Sequence, residues 1–161
     1  MIVIEAFSAE HQQGVVDVIL PIQQGEFDIP ITLEAQPDLL NIAGFYQTGA
    51  GNFWVAIVDG QVVGTLALLD IGNGQGALRK MFVKPEYRGR EFGVATTLLD
   101  HLLTWSRNQG ITEIYLGTTE KFLAAHRFYE RSGFSEIEKA ALPEAFPVMS
   151  VDTKFYARTL G

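Results

Sequence analysis

Two arginines, Arg88 and Arg90, sit with two glycines in the run Pro85-Glu86-Tyr87-Arg88-Gly89-Arg90-Glu91-Phe92-Gly93-Val94-Ala95. A planar guanidinium donates two parallel hydrogen bonds to a phosphate, and glycine lets backbone approach it closely. Apolar residues recur at Ala95, Leu98, Leu99, Leu102 and Leu103, the spacing of one helix face, so a helix opens at Gly93. Its first amides have no partner inside the helix, and its dipole adds partial positive charge there. Strand, glycine turn and helix start together make a phosphate cradle. It is no P-loop, because no Gly-Lys-Ser/Thr follows, and no dinucleotide fingerprint. Two other sets of residues have chemistry to offer. Tyr129 carries a hydroxyl donor, and Glu26 and Asp28, flanking Phe27, are acids in a segment of little pattern.

The elements that position these groups read as follows. Ile2 to Phe7 is a strand, and Ser8 caps a helix from Ala9 that Pro21 kinks or ends, with His11 solvated near its start. Pro37 to Tyr46 reads as a second helix. Asn52 to Ile71 is a hairpin about Asp59-Gly60, in which Gly64 marks a bulge or a close approach. Ala77 to Val83 is a strand whose alternation sets Arg79 and Met81 on one face and Leu78, Lys80 and Phe82 on the other. Arg79 and Lys80 are either strand residues with solvated tips or a grip for a substrate carboxylate. Ile111 to Thr118 is a strand and Glu120 to Arg131 a helix capped by Thr118 or Thr119. Strands over Phe134–Lys139 and Ser150–Arg158 follow, and Phe146 and Met149 in the loop between them either wall an acceptor site or pack on the sheet.

The glycine turn resembles the acyl-CoA motif of the GCN5-related N-acetyltransferase (GNAT) superfamily, Arg/Gln-x-x-Gly-x-Gly/Ala. Arg90 to Ala95 matches it literally; the register from Arg88 fits the Pro-x-Tyr-Arg-Gly context better but has Glu91 in place of the commoner glycine. A second segment, Ala125-His126-Arg127-Phe128-Tyr129-Glu130-Arg131-Ser132-Gly133-Phe134, matches the superfamily's Ala-x-x-Phe/Leu-Tyr-Glu-x-x-Gly-Phe. The two lie in the expected order on successive helices, and the likeness covers roughly residues 50 to 140. It implies an α/β fold in one domain spanning 1–161, with a mixed, mostly antiparallel sheet of about six to seven strands and about four helices in the order β-α-α-β-β-β-α-β-α-β-β.

The resemblance further implies acetyl transfer from acetyl-CoA to a primary amine of a small molecule. The cofactor would meet Met81, Phe82, Val83, Arg88, Gly89, Arg90, Glu91, Phe92, Gly93, Val94, Ala95 and Phe128, with the pantetheine laid along the strand. Tyr129 would be the catalytic donor to the departing thiolate, or else a packing aromatic. Glu26, Phe27 and Asp28 would contact the acceptor, or else form a polar loop. Two departures stand out. Residues 77–80 lack the glutamate that many relatives use as base, leaving Glu26, Asp28, Glu144 or a water chain. Phe122 stands where relatives often have an asparagine near the cofactor. These departures also admit a non-catalytic acyl-CoA module, and the acceptor class admits protein lysines or N-termini. Homodimers are common in the superfamily.

Composition narrows the field. A net charge of −7 disfavours a nucleic-acid face or an anionic membrane surface. With no cysteine there is no thiolate chemistry and no Cys-based metal site, and no metal is expected. The missing cysteines, the absence of a membrane-length apolar run and the absence of a signal-type start lead to the expectation of a cytoplasmic protein.

Overall fold

A computed structural model describes residues 1–89 and 92–160; Arg90 and Glu91, both assigned above to the phosphate turn, lie outside the described residues. The chain begins with strand β1 (Val3–Ala6), a short 3-10 turn (Ala9–His11) and helix α1 (Gln12–Leu20). Proline has no N–H and crowds the preceding turn, so the helix widens at Pro21 into a π-helical turn over Pro21–Glu26. The expected second helix is two pieces, α2 (Pro37–Leu40) and α3 (Ile42–Tyr46). Asn41 leaves helical geometry at φ −147° and ψ 63°, and its side chain then caps α3 by accepting from Gly44 N at 3.2 Å.

Strands β2 (Asn52–Val58) and β3 (Gln61–Gly72) pair about Asp59-Gly60, both at positive φ, as the turn signal predicts. Strand β4 (Gln75–Val83) leads through a 3-10 turn (Pro85–Tyr87) to helix α4 (Val94–Asn108). Strand β5 (Glu113–Thr118), helix α5 (Leu123–Arg131) and strands β6 (Ser135–Ile137) and β7 (Lys154–Thr159) complete the chain. Helix α5 begins later than expected, after Phe122, with no side-chain cap; instead His126 Nε2 lies 2.9 Å from Thr119 O and holds the entry. Strand β7 is shorter than expected because Asp152 folds back to accept from Met149 N at 2.9 Å.

Among the described residues the sheet has seven strands, in the order β1-β2-β3-β4-β5-β7-β6. All neighbours are antiparallel except β4 and β5. That exception positions the site. The parallel pair joins only Gln75, Gly76 and Ala77 to Glu113, Ile114 and Tyr115, so β4 from Leu78 onward has no partner on its β5 side. One sheet face packs on α4 and α5 through Leu66, Leu78, Leu98, Leu102, Leu116 and Tyr129; the other packs on α1 to α3 through Val15, Ile19, Leu39, Tyr46, Phe53 and Val55. Each such buried side chain contributes about 1.5–3 kcal/mol. Gly64 lies at a register shift, and a Cβ there would stand 3.0 Å from Val94 Cγ1 and 3.2 Å from Leu98 Cδ1. Its lack of a side chain seats the start of α4 on the sheet. Among the described residues no helix is long and apolar enough to cross a membrane.

Candidate functional site

The open edge of β4 runs directly into the glycine turn. Val83 is buried, and its carbonyl accepts from Arg88 Nε at 2.9 Å. Gly89 takes φ 110° and Gly93 φ 67°, conformations that favour glycine, and both Phe92 N and Gly93 N turn back toward Gly89 O at 3.3 and 3.4 Å. Thr97 N bonds Gly93 O at 2.9 Å as α4 begins. Val94 is buried, Ala95 half-buried, and Phe92 exposed with its ring edge-on to Tyr87 at 5.9 Å. The amides of Val94 and Ala95 therefore stand in the opening turn of a fifteen-residue helix, where an anion finds donors.

Strand β4 departs from the alternation read in the sequence. Lys80 has φ 55°, and the pairing with β3 jumps from Thr65↔Phe82 to Ala67↔Arg79. Thr65 Oγ1 fastens this bulge by donating to Lys80 O at 2.7 Å. A bulge re-aims side chains. Met81 consequently packs with Leu78 and Val83 on the α4 side, while Arg79, Lys80 and Phe82 all face α1 to α3. The expected opposition of Arg79 to Lys80 is thus replaced by two adjacent cations on one face.

Lys80 is 9% exposed and not solvated; its Nζ donates to Gln36 Oε1 at 2.8 Å and stands 3.5 Å from Asp38 Oδ2. Tyr46 donates to the same Asp38 oxygen at 2.6 Å, and Gln23 and Gln36 bond each other reciprocally at 3.1 and 2.9 Å. Burial pulls the Lys80 ammonium below its ordinary value against the opposing pull of Asp38. Burial likewise pushes Tyr46 up. Arg79 lies over the rings of Phe45 and Tyr46 at 5.7 and 5.8 Å and directs NH2 to Met149 Sδ at 3.4 Å. Met149 therefore does line this side, whereas Phe146 packs against Ala77 and Phe155. Burial raises the Asp152 carboxyl, and Arg79 and Lys80 oppose that shift.

Sequence reading missed Asp38, Tyr46, Gln23 and Gln36 as partners of this cluster. One signal was present. Two consecutive cations in the middle of an apolar central strand cannot both be solvated and alternate, so a bulge or buried partners were required.

The segment Glu26-Phe27-Asp28 reaches both lips of the open edge. Glu26 grips Arg88 with both oxygens, at 2.5 Å from NH1 and 2.7 Å from NH2. Phe27 meets Phe122 edge to face at 4.6 Å, Phe122 meets Phe82 at 6.2 Å, and Lys121 Nζ donates to Phe27 O at 3.2 Å. Asp28 is exposed, with φ 52°. Tyr129 is only 5% exposed, packed on Phe134 and Tyr156 at 5.8 and 5.9 Å with half-buried Phe128 beside it. Its hydroxyl makes no hydrogen bond among the described residues, and burial raises its pKa above the ordinary phenol value. His11 is buried, not solvated: its Nδ1 accepts from Ser8 N at 3.0 Å, and its Nε2 lies 3.4 Å from Glu5. It belongs to a helix start.

Comparison with known proteins agrees with this geometry. The model of the acetyltransferase (GNAT) family matches residues 17–134. The chain is 36% identical over 104 residues to the N-acetylaspartate synthetase of Xenopus tropicalis, covering 62% of this chain and 37% of that protein. It is 35% identical over 106 residues to N-acetyltransferase family 8 member 2 of Rattus norvegicus, covering 63% and 46%. The chain thus spans less than half the length of these curated relatives. Among solved structures, an acetyltransferase of the GNAT family from Staphylococcus aureus Mu50 superposes with a TM-score of 0.95 and 40% identity over all of both chains. The N-acetylglutamate synthase of Neisseria gonorrhoeae, solved with coenzyme A and N-acetyl-glutamate, shares the fold at TM-score 0.75 and 18% identity, over all of this chain and 35% of that one. A family match across most of the chain, a seven-stranded sheet parted between its fourth and fifth strands and a glycine turn at that parting converge, and this chain belongs to the acetyltransferase (GNAT) family of N-acetyltransferases.

Proposed function

We propose that this chain transfers an acetyl group from acetyl-CoA to the primary amine of a small molecule. The observation that carries this reading is the run of β4 from Leu78 to Val83 that is left without a partner on its β5 side and leads to Gly89, Gly93 and the start of α4. Backbone left unpaired beside a cleft takes an extended ligand as an added strand would. The pantetheine arm has that form, and the diphosphate at its end suits the amides of Val94 and Ala95 in the opening turn of α4. Arg88 is the fitting cation, and to reach a phosphate it must exchange the carboxylate of Glu26 for the ligand. Arg90 and Glu91 complete the proposed turn. A backbone N–H near Met81 or Phe82 would hold the thioester oxygen as charge develops on it.

Chemically, the nitrogen lone pair of the neutral amine attacks the thioester carbonyl carbon, the C–S bond breaks, and the amine loses a proton. The sulfur leaves as a thiolate or takes a proton as it goes. Tyr129 is the donor proposed to meet it. A phenol held above its usual range stays protonated through neutral pH, so it gives a hydrogen bond to the thiolate more readily than its whole proton. Glu26, paired with Arg88 in the ligand-free chain and released when the diphosphate takes its place, stands with Asp28, Glu144 and water as the candidates to take the amine's proton. The names of the relatives, which concern N-acetylated products, support the reading.

The test is thiol release from acetyl-CoA with a panel of small amines. Release that depends on one or more amines is the expected result. Binding of acetyl-CoA with no amine-dependent release would reject transfer and leave a binding module.

A further inference from the structure

Arg79 is the cation of this cluster that the described residues do not satisfy. It carries five N–H donors, is half-buried, and enters no ion pair among the described residues. Its one side-chain hydrogen bond there is to the thioether of Met149, a weak acceptor. The rings of Phe45 and Tyr46 back its guanidinium plane and hold it in place. Lys80, its neighbour, is already met by Asp38 and Gln36. Asp152 is nearby but spends an oxygen on Met149 N and makes no ion pair with Arg79. A half-buried guanidinium so poorly matched is costly unless something binds it.

We infer that Arg79 anchors a carboxylate on the acceptor, so that the amine acetylated here belongs to a small amino-acid-like molecule. This rests on the acetyl-transfer reading above. Arg79 stands on β4 two residues before Met81, with the Lys80 bulge between them, beside the strand edge proposed for the thioester. An acceptor that presents its amine to that edge and an anion to Arg79 must be short. A monoanion balances the single unmatched charge. A phosphate dianion would bring excess charge toward Asp38 and Asp152. A planar carboxylate also suits the guanidinium fork.

The experiment compares amino acids with their α-amides and their side-chain amides, which keep the amine and remove one carboxylate at a time. Thiol release from acetyl-CoA is measured for the wild type, Arg79→Met and Arg79→Lys, each shown by thermal melting to be folded. The expected result is an acid with kcat/KM at least about tenfold above one of its amides. Arg79→Met should erase that gap by raising KM for the acid, leave KM for acetyl-CoA unchanged, and be partly rescued by Arg79→Lys. Amides used as well as acids, or an Arg79→Met variant that slows acids and amides alike, overturns the inference. If no amine releases thiol, the acetyl-transfer reading fails separately. Calorimetry of the same acids with coenzyme A present then decides the anchor: binding lost in Arg79→Met sustains it, and no binding of any acid refutes it.

Discussion

At the scale of the residue, Tyr129 shows how burial shapes chemistry. Surrounded by Phe134, Tyr156 and Phe128, its hydroxyl is kept neutral with no hydrogen-bond partner among the described residues. Tyr129→Phe should lower kcat about a hundredfold, the scale of one acid–base group, and leave the acetyl-CoA Kd within about twofold. Single-turnover kinetics and calorimetry check the two halves. The same burial makes a stability prediction. Tyr129, Tyr46 and Tyr156 all have folded-state values raised above the ordinary phenol range. Above about pH 10 the unfolded chain therefore loses protons that the native state keeps, and stability must fall as pH rises. Urea midpoints measured from pH 9 to 11 should drop, and drop less steeply in Tyr129→Phe. A midpoint indifferent to pH there would count against this burial.

At the scale of the element, the segment 26–28 carries the most consequence. It ties the β4–α4 turn to the β5–α5 turn through Glu26 on Arg88 and through Phe27 and its carbonyl on Phe122 and Lys121. On the proposed reading, diphosphate and Glu26 compete for one guanidinium. Glu26→Gln should therefore tighten acetyl-CoA binding about two- to fivefold, the worth of a partly exposed pair. Calorimetry giving wild-type or weaker affinity would show that Arg88 is not shared. This segment was legible in the sequence only as an acidic stretch, because its role comes from partners more than sixty positions away. The hairpin at Asp59-Gly60 and the helix opening after Gly93 were legible because local chemistry decides them. At Lys80 the two adjacent cations signalled a bulge or buried partners without saying which, because strict alternation is only the default that Thr65 and the buried Asp38 override. The break at Asn41, a single side chain capping its own helix, was not legible.

At the scale of the whole molecule, the fold is a twisted sheet opened at one seam. The two motifs flank that seam, one after β4 and one after β5, which is why their order along the chain announced the architecture. The face proposed for the acceptor was harder to see. Its residues come from α2, α3, β4 and the β6–β7 loop, and no spacing in the sequence joins Asp38, Tyr46, Lys80 and Met149. A ligand that fills the seam binds only the folded state. Acetyl-CoA at about a hundred times its Kd should add about 2.7 kcal/mol and raise the melting temperature by about 5–10 °C. A melt unmoved at that concentration would mean that the seam is not where the cofactor binds.

The central claim is that the diphosphate of coenzyme A rests on the turn between Arg88 and Ala95 with its sulfur beside the Tyr129 hydroxyl. A crystal structure of the complex with coenzyme A tests it most directly. The account predicts the pantetheine along β4 from Leu78 to Val83, Glu26 displaced from Arg88, and the sulfur within hydrogen-bonding reach of that phenol. A cofactor bound elsewhere, or a sulfur remote from Tyr129, would contradict it.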